Sequence, residues 1–218
     1  MNEIDPSLLL VEMPVTAFDT ETTGLRPSDG DEIVSIGAVR IANGNVIREQ
    51  VFDLLVDPGR PIPRKSTLIH GIDDAMVRGK PRITEALRAF DTFARDTVLV
   101  GHYAAFDMDF FRIKEGAAGI KLRLPVLDTM LLSAVVHPYH EDHSIEGIAG
   151  RVGVNVAGRH TAVGDAITTG ELFLKLVPLL EEKGIRSLGE AVRVSESMWT
   201  RMSRLWTDSK SSSRQRSA

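Results

Sequence analysis

The run PVTAFDTETTGL places two carboxylates, Asp19 and Glu21, at the end of an apolar strand. Side chains two apart on a strand share a face. Both acids therefore converge on one point, which a turn at Thr22, Thr23 and Gly24 opens to solvent. Two anions held together attract a hard cation, so whatever sheet this strand joins has to leave that end open.

Two further apolar runs follow, IVSIGAVRI at 33–41 and VIREQVFDLLV at 46–56, with Asn43 and Gly44 between them as a hairpin turn. DPGRPIPRKS cannot lie inside a sheet and reads as a surface excursion, after which Asp73 caps a short helix. Thr84 is the expected cap of a helix to about Phe93, and Val98 to Gly101 reads as a fourth strand. A helix from about Ala105, a brief strand at Val126 and Leu127, and helices near 129–136, 145–151 and 161–182 complete the pattern. Asp128 with Thr129 reads as a helix cap, as does Ser144. Hairpin strands followed by alternating strands and helices predict an α/β domain with a mixed central sheet.

The expected organisation is an N-terminal extension over 1–13, a catalytic domain over 14–182, an amphipathic helix over 183–206 and a disordered tail over 207–218. Ser187 and Glu190 fit a capping box for that helix, and Leu188, Val192, Met198, Trp199, Met202, Leu205 and Trp206 form its apolar stripe. The stripe is expected to cover the chain's own core, or to contact a second copy or a polymerase. The chain has no cysteine, which leaves oxygen and imidazole as metal ligands. Its N-terminus carries acids where a secretory signal carries bases, and no apolar run is long enough to span a bilayer. The cytoplasm is the expected compartment. A net charge of −4 argues against a protein that coats nucleic acid through a general positive surface. It leaves open an enzyme whose bound cations invert the field of an acidic pocket.

Two more acidic elements stand out. GHYAAFDMDFF puts Asp107 in the first turn of a helix after a strand, where α/β sites gather. RHTAVGDAITTGELF puts His160 just before a helix and Asp165 in its first turns, where the helix end favours an ionised carboxylate. Five residues is a poor same-face interval, so His160 reads as a residue of the preceding loop. His137, His140 and His143 with Glu141 and Asp142 mimic a zinc site but read as a solvated loop.

DTETTGL, IHGIDDAMV at 69–77, HYAAFD at 102–107 and HTAVGD at 160–165, in that order, resemble the DnaQ-like, DEDDh-type 3′→5′ exonucleases. The resemblance covers about 14–181 and implies a ribonuclease H-like fold. It implies metal ligation by Asp19, Glu21, Asp107 and Asp165, with His160 as general base. Two divalent ions, magnesium or manganese, about 4 Å apart would neutralise the phosphodiester and activate water. A histidine, with an ordinary pKa of ~6.5, can take the water proton. The implied substrate is a nucleic acid 3′ end, single-stranded DNA first, released as nucleoside 5′-monophosphates. Thr22, Thr23 and Gly24 would meet the terminal sugar and phosphate. Leu25 would wedge between end bases, and Ile69, His70 and Phe106 would line the pocket. One position departs from the pattern: Tyr103 stands where the family usually has asparagine after the histidine of its second motif.

Overall fold

The computed structural model describes residues 4–215, and side chains over 4–203. Five strands form one sheet: β1 (Val15–Thr22), β2 (Ile33–Ala42), β3 (Asn45–Leu55), β4 (Val98–Gly101) and β5 (Val126–Asp128). Their order is β3-β2-β1-β4-β5, with β1, β2 and β3 antiparallel neighbours and β4 and β5 running parallel to β1. This is the mixed sheet and ribonuclease H-like architecture the sequence predicts. Asn43 and Gly44 take φ of 51° and 72°, the left-handed pair that a tight hairpin turn needs.

Both faces of the sheet are covered, so the central strands are apolar on both sides. Val15, Ala17, Val39, Ile41, Val98 and Val100 face a core with Leu172, Phe173 and Leu176 of α7 (Ala162–Glu182). Phe18, Ile36, Ala38 and Leu99 face the other core, with Leu87 and Phe90 of α3 (Ile83–Phe93) and Phe110 and Phe111 of α4 (Ala104–Ala118). Phe18, Phe90 and Phe111 meet there, with ring centroids 5.1–5.9 Å apart. Two short helices, α5 (Thr129–Val136) and α6 (Ile145–Val152), complete the α7 side.

Four details differ from the sequence reading. The proline-rich excursion runs into a helix, α1 (Arg64–His70), started by Pro63 at its N-cap and ended by Gly71 at φ 75°. After it Asp73 Oδ1 caps α2 (Asp74–Val77) as expected, accepting from the Ala75 and Met76 amides. Helix α3 begins two residues earlier than a Thr84 cap allows. Arg82 is the cap, because Glu85 Oε2 reaches back to its amide at 3.1 Å.

The N-terminal extension is part of the domain. Leu10 and Met13 are buried, and the Leu10 amide donates to Arg186 O at 2.8 Å while the Leu188 amide donates to Leu8 O. Finally, α8 (Leu188–Gln215) continues past Trp206 into the stretch expected to be a disordered tail. SKSSSRQ contains neither proline nor glycine to stop it. Glu190 Oε2 caps its start through the Arg186 and Ser187 amides. Leu188, Ala191 and Ser195 of its first turns are buried, so that end of the stripe covers the chain's own core. The side chains of Leu205 and Trp206 and residues 216–218 lie outside the described residues. No helix among the described residues is long and apolar enough to cross a membrane.

Candidate active site

Strand alternation decides where the acids point. Asp19 and Glu21 continue the series Val15, Ala17 and so lie on the α7 face of β1, while Thr20 continues Phe18 toward α4. Directly opposite Asp19 on β2 is Gly37. A Cβ there would stand 2.1 Å from the Ala162 carbonyl carbon and 2.2 Å from the Val163 amide nitrogen. Only a glycine lets the α7 backbone lie against the sheet at that level. Thr161 Oγ1 caps α7 through the Gly164 amide, and Asp165 falls in the first turn.

The result is a cluster in which ligand atoms of Asp19, Glu21 and Asp165 lie within 4.8 Å of one another. Asp165 Oδ2 accepts from the His160 amide at 3.0 Å and pairs with Arg159 Nη1 at 2.6 Å. Its other oxygen, Oδ1, is buried without a hydrogen-bond partner among the described residues. Asp107 arrives from the α4 side. It is buried in the first turn of α4, and its Oδ1 accepts from Thr20 Oγ1 at 2.5 Å. His160 is exposed and left-handed at φ 62°, immediately before the cap, with its amide tied to Asp165.

The electrostatics are those of crowded anions. Burial, then the charges of Asp107, Asp165 and Glu21, push the Asp19 carboxyl well above the usual carboxylate range. Glu21 is pushed up to about 7, first by burial and then by Asp165 and Asp107. Asp107 is also pushed up to about 7 by burial, which the Thr20 hydroxyl only partly offsets. A divalent cation would relieve all three, and the chemistry of four oxygen acids with no sulfur suits a hard one.

Beside the cluster is a pocket of about 290 Å³ that brings together Thr22, Gly24, Leu25, Ile69, His70 and Phe106. Leu25 and Ile69 are 79% and 59% exposed, two large apolar prongs on its rim. His70 is buried. Its Nδ1 accepts from the Ile72 amide at 3.0 Å, which places its proton on Nε2, a buried donor with no partner among the described residues. Thr23 is not in this wall. Its side chain is fully buried, with Oγ1 accepting from the Glu32 amide, so it shapes the turn from behind.

Four residues escaped the sequence reading. Lys65 and Ser66 line the pocket from the unforeseen helix α1. Arg159 clamps Asp165 to Glu146, each at 2.6 Å, and in the sequence it is one of many loop cations beside His160. His102 Nδ1 lies 2.9 Å from Thr129 Oγ1, and burial followed by the Arg159 charge pushes its pKa down to about 4. Asp128 does cap α5, through Met130 and Leu131, but it also accepts from the Tyr103 and Ala104 amides and so caps α4 as well. Tyr103 itself sits at φ 56°, a conformation that favours asparagine over aromatic residues. The histidine-rich loop holds no metal cluster among the described residues; His143 Nδ1 lies 3.0 Å from Ser133 Oγ.

An epsilon-like protein of DNA polymerase III from Rhodobacter capsulatus is 50% identical over 182 residues, covering 83% of this chain and 26% of that protein. A PolC-type DNA polymerase III from Caldanaerobacter subterraneus is 38% identical over 180 residues, covering 83% of this chain and 13% of its own length. The chain thus spans about a quarter or less of these relatives. Among solved structures, Exonuclease X in complex with 5′ overhanging duplex DNA superposes with a TM-score of 0.65 at 24% identity, over 83% of this chain and 99% of the other. E. coli Exonuclease I in complex with a dT13 oligonucleotide gives 0.66 at 16% identity, over 79% and 43%. Both show the same fold. A family model described as Exonuclease, RNase_T, matches residues 16–173, and this chain belongs to that DnaQ-like exonuclease family.

Proposed function

We propose that this chain hydrolyses DNA from the 3′ end to nucleoside 5′-monophosphates, using divalent metal ions. The observation that carries the reading is the convergence of Asp19, Glu21 and Asp165 within 4.8 Å beside a pocket rimmed by Leu25 and Ile69. Acids so close repel unless cations or protons intervene, and the orphaned Asp165 Oδ1 fits a ligand atom. Asp19, Glu21 and Asp165 would hold magnesium or manganese, with Asp107, oriented by Thr20, in support. Bound there, two such ions supply charge to neutralise the phosphodiester oxygens and make water easier to deprotonate.

The chain's own residues do the rest. His160, exposed at the mouth of the cluster, accepts the proton of the attacking water. As the water oxygen bonds to phosphorus, the bond to the 3′ oxygen breaks, and that oxygen takes a proton from solvent, leaving the shortened strand with a 3′-hydroxyl. Thr22 and Gly24 meet the terminal nucleotide, Leu25 wedges beside its base, and Ile69 and Phe106 pack against it. His70 Nε2 offers a buried donor, and Lys65 draws the phosphate. Thr23 contributes by holding the turn. A place in proofreading or repair, and with it a cytoplasmic location, goes with relatives that are polymerases or polymerase subunits by name.

The test is a strand-end assay on matched DNA and RNA oligonucleotides with magnesium or manganese. DNA is expected to yield mononucleotides, and Asp19→Ala to abolish them. His160→Ala is expected to keep manganese affinity while turnover falls ~10²- to 10⁴-fold. Preferential RNA loss would overturn the substrate, and no mononucleotide from either polymer would leave a docking module.

A further inference from the structure

Tyr103 and Trp199 form an aromatic pair at the edge of the site that the exonuclease reading does not use. Their ring centroids are 6.5 Å apart at 43°, and each residue keeps more than a third of its surface exposed. Tyr103 enters α4 one turn before Asp107; Trp199 reaches it from α8. Below Trp199, between α8, β5 and the start of α4, runs a groove of about 400 Å³ walled by Ala104, Ala105, Val126, Leu131 and Val192, with the carboxylates of Asp128 and Glu196 also in its lining. At its base Ser195 is only 6% exposed, and its Oγ has no hydrogen-bond partner among the described residues.

We propose that this groove and its aromatic rim form a nucleobase subsite for the single strand whose 3′ end occupies the carboxylate pocket. The inference rests on the exonuclease reading and extends it to the nucleotides upstream of the scissile bond. Continuity is the first argument. Ala104 and Ala105 line the groove, while Phe106, the next residue, lines the end-nucleotide pocket, so the two flank different faces of the same first turn of α4. Chemistry is the second. Paired aromatic faces over an apolar floor stack bases of any sequence, and a buried hydroxyl can pair with a base edge.

The chain has two tryptophans, so Trp206→Phe makes Trp199 the sole reporter. Its fluorescence, titrated with oligothymidylate in EDTA at low ionic strength, is expected to change saturably. In kinetics with magnesium, Trp199→Ala is expected to raise KM for oligothymidylate about 10-fold with kcat nearly unchanged. Hydrolysis of thymidine 5′-monophosphate p-nitrophenyl ester, which has no upstream base, should stay at the parent level, and Trp199→Phe should restore KM. An unchanged oligonucleotide KM would overturn the subsite, and so would a parallel loss on both substrates, which marks a structural role. A dimer that Trp199→Ala dissolves would give the groove to a second copy. Failure of the unaltered chain on both substrates counts against the exonuclease reading, while the fluorescence titration still decides the subsite.

Discussion

Gly37→Ala adds a single methyl group, and its effect can be worked from two contacts. The new Cβ would lie 2.1 Å from the Ala162 carbonyl carbon and 2.2 Å from the Val163 amide nitrogen, where ordinary contact begins at 3.4 Å. Both obstacles are backbone, so no side chain can rotate away and α7 must retreat from β2 by more than 1 Å. Asp19 and Glu21 stay on β1, paired across from β2, but Asp165 and His160 travel with α7. Metal-ligand distances tolerate about 0.2 Å, and a misplacement of about 1 Å costs on the order of 10²-fold in turnover. Overpacking should also cost about 1–3 kcal/mol of stability. Manganese titration calorimetry, mononucleotide release and a thermal melt read the three effects. Gly116→Ala is the control: it sits exposed in α4, a Cβ there meets nothing, and it should gain about 0.5–1 kcal/mol with activity intact. If Gly37→Ala kept metal affinity and turnover within about threefold of the parent, the close approach of α7 would not be what assembles the site.

Metal affinity should depend steeply on pH. Glu21 and Asp107 titrate near 7 in the folded chain against about 4 unfolded, so the folded state binds more protons between those values. Metal-free stability therefore falls as pH rises from about 4 through 7, and bound metal, which displaces the protons, reverses the loss. Manganese affinity should rise at least about 10-fold from pH 6 to pH 8 with measurable proton release; calorimetry in buffers of different ionisation enthalpy that found no proton release at pH 6.5 would refute this. Asp128→Ala removes caps from two helices and should cost about 2–4 kcal/mol in a denaturant melt. Asp128→Asn should recover roughly half of it, and a loss no larger than that of an ordinary surface substitution would show the caps to be redundant.

What was legible in the sequence is what depends on neighbours in the chain. The Asn43–Gly44 hairpin, the caps at Asp73, Asp128 and Ser144, and the acids at strand and helix ends all follow from local backbone preference. The order of motifs along the chain then carried the family and with it the pocket wall. What stayed hidden depends on contacts between distant segments. Gly37 looks like any strand glycine until α7 lies on it. Arg159 gains its meaning only when α6 brings Glu146 to within 2.6 Å. The extension at 1–13 looked separable because its partner, the stretch at 186–189, is at the other end of the chain. Prolines at 61 and 63 masked α1, although a proline just before a helix is a start signal as much as a break.

Strand alternation also explains why the four acids are unequal. Asp19 and Glu21 share one face of β1 and meet Asp165 there, whereas Asp107 comes over the opposite face and is held by Thr20, the residue between them. One strand end thereby serves both sides of the sheet: its odd residues supply two carboxylates and its even residue orients a third. Such a cluster works against folding, since burial and mutual repulsion raise three of its carboxyls. The aromatic and aliphatic cores on either side of β1 must outweigh that repulsion until a cation arrives. The charge that disfavours the metal-free fold is the same charge that a divalent ion would neutralise, so affinity for metal and stability without it are expected to trade against each other.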